Sequence, residues 1–197
     1  MELRSALVYG HSQAQPSGMG DDMVAALKKR KVKVKRVGLQ GRNDGGLLRE
    51  YDKQGLGDPS QYDAVFLYGY GNDSTREQTK KLVAFLGPER TVLIIPPINL
   101  DRVVKGMTTE ERLERQKQRV RELPEELGIP VYGIWGYAKD FKSDDVHMLP
   151  GSQVSKDLVE QILSDLESGR QGVSPLLIVG GMVAAAAVLA LAARKRR

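Results

Sequence analysis

The 197-residue sequence has no cysteine and only two histidines, His11 and His147. Without cysteine there is neither a disulfide framework nor a thiolate metal site, and the redox compartment stays open. Two histidines among scattered acids give no zinc-type ligand spacing, so no metal is expected. The glycines near Gly69 and Gly71 are not followed by Gly-Lys-Ser/Thr, so they form no phosphate loop, and a nucleotide enzyme is disfavoured. No cofactor is implied. The chain body also lacks a charge excess: of the net +5, Arg194, Lys195, Arg196 and Arg197 supply four, which leaves +1 for residues 1–193. A nucleic-acid partner is therefore not expected. The opening MELRSALVYG holds too short an apolar run for a secretory signal. There is no internal repeat, and the only biased segments are the ESGRQGVSP stretch and the tail after it.

The sequence does contain a regular alternation of apolar runs and helical patterns, the signature of a parallel sheet covered by helices on both faces. Strands are predicted at 3–9, 31–37, 64–70, 91–97 and 131–135, and helices at 21–30, 74–87, 109–127 and 153–166. The lysine–valine alternation of KVKVKRV marks an edge strand, because lysines discourage edge-to-edge pairing. Thr108 and Glu111 have capping-box spacing at the start of the third helix. That helix intersperses acids and bases and keeps Leu113, Val120, Leu123 and Leu127 on one side, which is a solvated amphipathic pattern rather than a nucleic-acid contact. The domain is expected to span 1–168, with a linker at 169–175.

From Leu176 to Ala193 every residue is apolar or glycine, and a basic tail, 194–197, follows. As a helix this run would rise about 27 Å at roughly 1.5 Å per residue, near the hydrocarbon thickness of a bilayer. A transmembrane helix at 176–193 is accordingly expected, with membrane localisation through a single-pass C-terminal anchor and the sidedness left open. The pairs Gly180/Ala184 and Gly181/Ala185 have the small-xxx-small spacing that would let two such helices self-associate.

Two strings at opposite ends of the domain carry candidate chemistry. Ser12, in VYGHSQAQ, follows the first strand, and His147, in SDDVHMLPG, precedes the last helix. A serine hydroxyl needs a base within reach to act as a nucleophile, and Asp144, three residues before His147, is spaced to orient and stabilise the imidazole. Asp145 is the competing carboxylate. Gly41, in VGLQGRNDGG after the second strand, offers a backbone N–H that no side chain screens. Asn72, in LYGYGND after the third, offers a side-chain amide donor. Such pre-aimed donors form oxyanion holes. Each of these residues taken singly is also an ordinary turn residue. All of them fall at the carboxyl ends of strands, where doubly wound sheets bind ligands.

In order, Ser12, Gly41, Asn72 and His147 resemble the four blocks of the SGNH (GDSL-type) serine hydrolases, over about residues 3–168. GHS stands for the family's GDS, LQG for its hydrophobic-x-Gly, GYGND for GxND and DDVH for DxxH. The resemblance implies a flavodoxin-like three-layer α/β/α domain with a five-stranded parallel sheet. It implies that Ser12 is the nucleophile, His147 the general base and then acid, and Asp144 the residue that orients it. The N–H groups of Ser12 and Gly41 and the amide of Asn72 would form the oxyanion hole. The expected reaction is hydrolysis of a small acyl ester such as acetyl, on a small ester or an acylated glycan, with no cofactor. Alternatives are a lysophospholipase or thioesterase at the membrane, and a glycan-binding domain without activity. The chief departure is His11 where the family has aspartate. His11 and Arg42 are candidate substrate contacts, while Arg42, Asn43 and Asp44 also suit a plain surface turn.

Overall fold

A computed structural model of the chain describes residues 2–144, 146–169, 177–179 and 182–183. Five strands, β1 (Ser5–Gly10), β2 (Lys33–Gly38), β3 (Ala64–Tyr68), β4 (Thr91–Ile94) and β6 (Val131–Gly136), lie parallel in the order β2-β1-β3-β4-β6. Five helices connect or follow them: α1 (Gly20–Lys29), α2 (Asp44–Glu50), α3 (Arg76–Leu86), α4 (Thr109–Leu127) and α5 (Gln153–Glu167).

Successive side chains of a strand face opposite ways, so each central strand feeds two cores. Ala6, Val8, Phe66 and Ile134 meet Met23 and Leu27 of α1 and Leu158 and Ile162 of α5 on one face. Leu7, Tyr9, Leu67 and Leu93 meet Leu47 of α2, Leu82 and Leu86 of α3, and Val120 and Leu123 of α4 on the other. Each fully buried Leu or Phe contributes roughly 1.5–3 kcal/mol. β2 forms the expected lysine-bearing edge, with Lys33 and Lys35 exposed. Both capping boxes of the middle helices close, Thr75 with Gln78 and Thr108 with Glu111.

The chain leaves β1 for β2 on one side and returns for β3 on the other. The loops after β1 and β3 therefore diverge over a crevice at this reversal of strand order. Register brings them out level, since Gly10 pairs with Gly38 of β2 and with Tyr68 of β3.

Two expectations are corrected at the far edge. The parallel sheet has six strands in its main path rather than five, because β7 (Leu177–Val179) pairs parallel with β6. The antiparallel β8 (Met182–Val183) follows, and the two-residue β5 (Ile98–Asn99) pairs with β6 off the path. The expected transmembrane helix at 176–193 is overturned with it: these residues include two strands, and among the described residues no helix is long and apolar enough to cross a membrane. The membrane anchor, the membrane localisation and self-association through that helix lose their basis. The remainder of 176–193 and the basic tail lie outside the described residues. An apolar run has no periodicity to separate helix from strand. Leu-Ile-Val is rich in β-branched residues and here meets the edge of β6, which would otherwise be unpaired.

Candidate active site

The serine turn is built where β1 runs out. His11 N donates to Tyr68 O at 3.1 Å, and Ser12–Ala14 form one 3-10 turn in which Ala14 N donates to His11 O at 2.9 Å. Ser12 is partly exposed on an open cavity of about 360 Å³, whose lining includes His11, Gln13, Tyr70, Asn72, Asp73, Pro96 and Arg119. His11 is only 3% exposed. Burial drives its pKa down to about 4, against a hydrogen bond to the Gly69 backbone, and the nearby His147 lowers it further. At neutral pH its imidazole is uncharged. Its Nε2 has no partner and lies so close to Gly71 that a Cβ there would stand 2.8 Å away.

The two proposed donor loops meet beside this turn. Gly41 adopts φ +66°, a left-handed conformation that glycine takes without penalty, and the space where its side chain would lie is open. Asn72 is also left-handed, at φ 51°, and its Nδ2 donates to Arg42 O at 2.9 Å. The third block is thus tied to the residue after Gly41, with the second Nδ2 hydrogen left over. Among the described residues no hydrogen bond is donated by the Ser12 or Gly41 backbone N–H. Arg42 is exposed and its stem packs against α2, where a Cβ on Gly46 would lie 3.2 Å from Arg42 Cδ. Gly41 and Arg42 stand outside the cavity lining; Ser12, His11 and Asn72 are part of it.

His147 sits on a short return between β6 and α5. The loop is closed by Lys142 N donating to His147 O and Leu149 N donating to Asp140 O, both at 2.8 Å, and is pinned by buried Phe141 and Met148. Asp144 Oδ1 accepts from the N–H groups of Val146 and His147 at 3.0 and 2.9 Å, and Oδ2 lies 2.6 Å from His147 Nδ1. Partial desolvation pushes the Asp144 carboxyl up, but the amides of His147 and Val146 and the His147 ring outweigh it and hold its pKa at about 2. An ionised carboxylate only accepts, so Nδ1 carries a proton, and in the neutral ring Nε2 is then the nitrogen with the lone pair. That is the tautomer a general base needs. Asp145 lies outside the described residues.

The loop of His147 reaches the serine turn through Gln13, whose Nε2 donates to Val146 O at 3.0 Å. A second tie runs behind it, where Asp22 of α1 accepts from Gly151 N at 2.9 Å and from Ser155 Oγ at 2.5 Å. Ser12 Oγ itself makes no hydrogen bond among the described residues, and so none to His147. Catalytic hydrogen bonds commonly tighten only once substrate is bound.

Sequence reading missed several residues here. Asp44 is not a surface turn residue but fully buried, and Asn43 is the N-cap of α2, accepting from Gly46 N at 2.9 Å. Tyr70 and Arg119 were also missed; the Arg119 guanidinium lies 5.3 Å from the Tyr70 ring centroid at the cavity rim. Asn43 was legible as a cap three residues before Gly46. Nothing local signalled that an α4 arginine would reach the loop after β3.

No protein-family model matches the sequence, and a search of curated proteins finds no match. Solved structures do match. An acetylxylan esterase from Geobacillus stearothermophilus, Axe2, is 14% identical, with a TM-score of 0.54, over 86% of this chain and 97% of its own. The acetyl xylan esterase AlAXEase is 13% identical, with a TM-score of 0.58, over 82% and 99%. The psychrotrophic esterase EstA from Pseudoalteromonas sp. is 15% identical, with a TM-score of 0.54, over 84% and 99%. Variants of Axe2 at a serine, and at an aspartate and a histidine three positions apart, are described as its catalytic mutants. At this level of identity the likeness is one of fold: the chain shares the α/β fold of these proteins.

Proposed function

We propose that the chain is a cofactor-free serine esterase that removes a small acyl group, such as acetyl, from a polar acceptor of the glycan kind. The observation that carries the reading is the Asp144 carboxylate, which accepts from the Val146 and His147 N–H groups and lies 2.6 Å from His147 Nδ1, so that in the neutral ring Nε2 is the basic nitrogen, on a loop bonded to the Ser12 turn. In this reading Ser12 Oγ attacks the ester carbonyl as Nε2 takes its proton. The oxyanion collects hydrogen bonds from the Ser12 and Gly41 N–H groups and the Asn72 amide. Collapse of the tetrahedral intermediate breaks the C–O bond, and the alcohol leaves with the proton from His147. Water, deprotonated by His147, then releases the acid and restores Ser12.

The character of the cavity supports a small acyl group and a polar acceptor. Its lining combines the polar His11, Gln13, Asn72, Asp73 and Arg119 with only Pro96, Pro97 and Val146 as apolar residues outside the aromatic Tyr70, a composition that suits a polar acceptor better than a long acyl chain. Axe2, described as an acetylxylan esterase, shares the fold and has catalytic mutants at the same residue types with the same Asp-x-x-His spacing. A glycan-binding domain without turnover is the second reading, favoured by His11 in the serine turn and by the engagement of the Asn72 amide with Arg42 O.

The test is hydrolysis of p-nitrophenyl acetate, butyrate and octanoate, and of acetylated xylo-oligosaccharide, by the full chain. The expected result is a kcat/KM that falls with acyl length and is abolished in Ser12→Ala. A wild-type chain that binds the oligosaccharide but turns over none of these esters would establish the binding reading instead.

A further inference from the structure

Asp44 is a buried carboxylate that the mechanism does not use. Its residue is 0% exposed, and among the described residues no lysine, arginine or histidine is paired with it. A buried carboxylate without a cation is tolerated only where hydrogen-bond donors surround it. Tyr70 N donates to Oδ1 and Oδ2 at 3.1 and 3.0 Å, and the buried Thr79 hydroxyl donates to Oδ2. The Asp44 N–H donates to Ser74 Oγ at 2.9 Å, and that hydroxyl donates onward to Gly71 O at 2.6 Å.

These partners all belong to one segment. Residues 70–73 follow β3 and carry Asn72, and Tyr70, Asn72 and Asp73 have φ of 59°, 51° and 61°. Three non-glycine residues in the left-handed region among four persist only where their surroundings over-determine them. Asp44, for its part, begins α2 three residues after Gly41. An acid in the first turn of a helix usually serves that helix. Here the cap of α2 is already supplied by Asn43, and the Asp44 side chain turns away to the 70–79 segment.

We propose that Asp44 is a positioning residue that locks the loop of Gly41 to the loop of Asn72 and so sets the spacing of the oxyanion donors. This rests on the esterase reading and its oxyanion assignment. The Asn72 Nδ2 to Arg42 O bond is the outer strut of the same junction, and the Asp44 carboxylate is its buried pivot. Donors of this kind act on the transition state rather than on ground-state binding, so disturbing the pivot lowers kcat and spares KM.

The experiment measures kcat and KM on p-nitrophenyl acetate for the wild-type full chain and for Asp44→Ala, Asp44→Asn, Ser74→Ala and Thr79→Val, with the folded fraction read by circular dichroism. In folded Asp44→Ala, kcat is expected to fall about 100-fold or more with KM within about threefold. Asp44→Asn is expected to recover most of the loss, because its carboxamide oxygen still accepts from Tyr70 N. Ser74→Ala and Thr79→Val each remove one strut and should lower kcat about tenfold. They decide the question if Asp44→Ala fails to fold. A kcat that follows only the folded fraction, or that is unchanged in the two strut variants, overturns the proposal. A wild-type chain inactive on every ester removes the esterase reading and this proposal together, an outcome told apart by the wild-type rate alone.

Discussion

Replacing His11 by asparagine should flatten the acid side of the stability curve between pH 6.5 and 4. In the folded chain burial lowers the His11 pKa from 6.5 to about 4, while the unfolded chain keeps the ordinary value. Between those pH values the unfolded state binds a proton that the folded state refuses, so stability drops as the pH falls. The contribution is fully present above 6.5 and fully lost below about 4, and the difference corresponds to about 3 kcal/mol. For a chain of this size that is a fall in Tm of about 6–12 °C across the window, beyond the slope due to other groups. The assay is thermal unfolding of wild type and His11→Asn at closely spaced pH. Other titrating groups are common to both proteins and cancel in the difference of slopes. The variant should be less stable at pH 7 yet lose less on acidification. Parallel curves from pH 7 to 4 would refute the reasoning, because they would mean that His11 takes up its proton in the folded chain as readily as in the unfolded one.

Asp144→Asn should lower kcat on the order of 10⁴-fold with little effect on folding, since a carboxamide N–H facing Nδ1 forces the proton onto Nε2 and removes the base; steady-state kinetics checks it. Gly71→Ala should destabilise the chain by about 1–3 kcal/mol and reduce kcat, because its Cβ would meet Pro96 Cγ at 2.7 Å and His11 Nε2 at 2.8 Å. Urea unfolding and p-nitrophenyl acetate turnover read the two effects. Asp22→Ala removes the ties to Gly151 N and Ser155 Oγ and should cost about 2–4 kcal/mol while loosening His147 against Ser12. Its signature is a lowered kcat in protein still folded at 20 °C. Wild-type stability should fall further once the pH drops below 3.8 toward 2, as the depressed Asp144 carboxyl takes its proton and releases the His147 loop; Asp144→Asn should lack that component.

The central strands and four helices were legible because their apolar runs are long and their caps explicit. KVKVKRV even gave the place of β2 at the sheet edge. Three strings of the candidate site were legible because they follow β1, β2 and β3, where register brings the loops out level. The fourth, DDVH, lies beyond β6 and a 3-10 turn and was legible from its Asp-x-x-His spacing. What sequence did not disclose depends on distant partners. Asp44 sits in the polar string RNDGG, which suits a surface turn, and its burial follows from Thr79 and Tyr70 closing over it. Leu177–Val179 lies in an alanine-rich apolar run whose composition suits a helix, and only the open edge of β6 makes it a strand. The reach of Gln13 to Val146 spans 133 positions and leaves no local pattern at all.

The central claim is an activated Ser12, and covalent labelling of the full chain by a fluorophosphonate tests it most directly. The account predicts a single phosphonyl adduct by intact mass, mapped to Ser12 by peptide fragmentation, absent in Ser12→Ala and strongly slowed in His147→Ala. A folded wild-type chain that gains no adduct, or one labelled equally in Ser12→Ala, would contradict it.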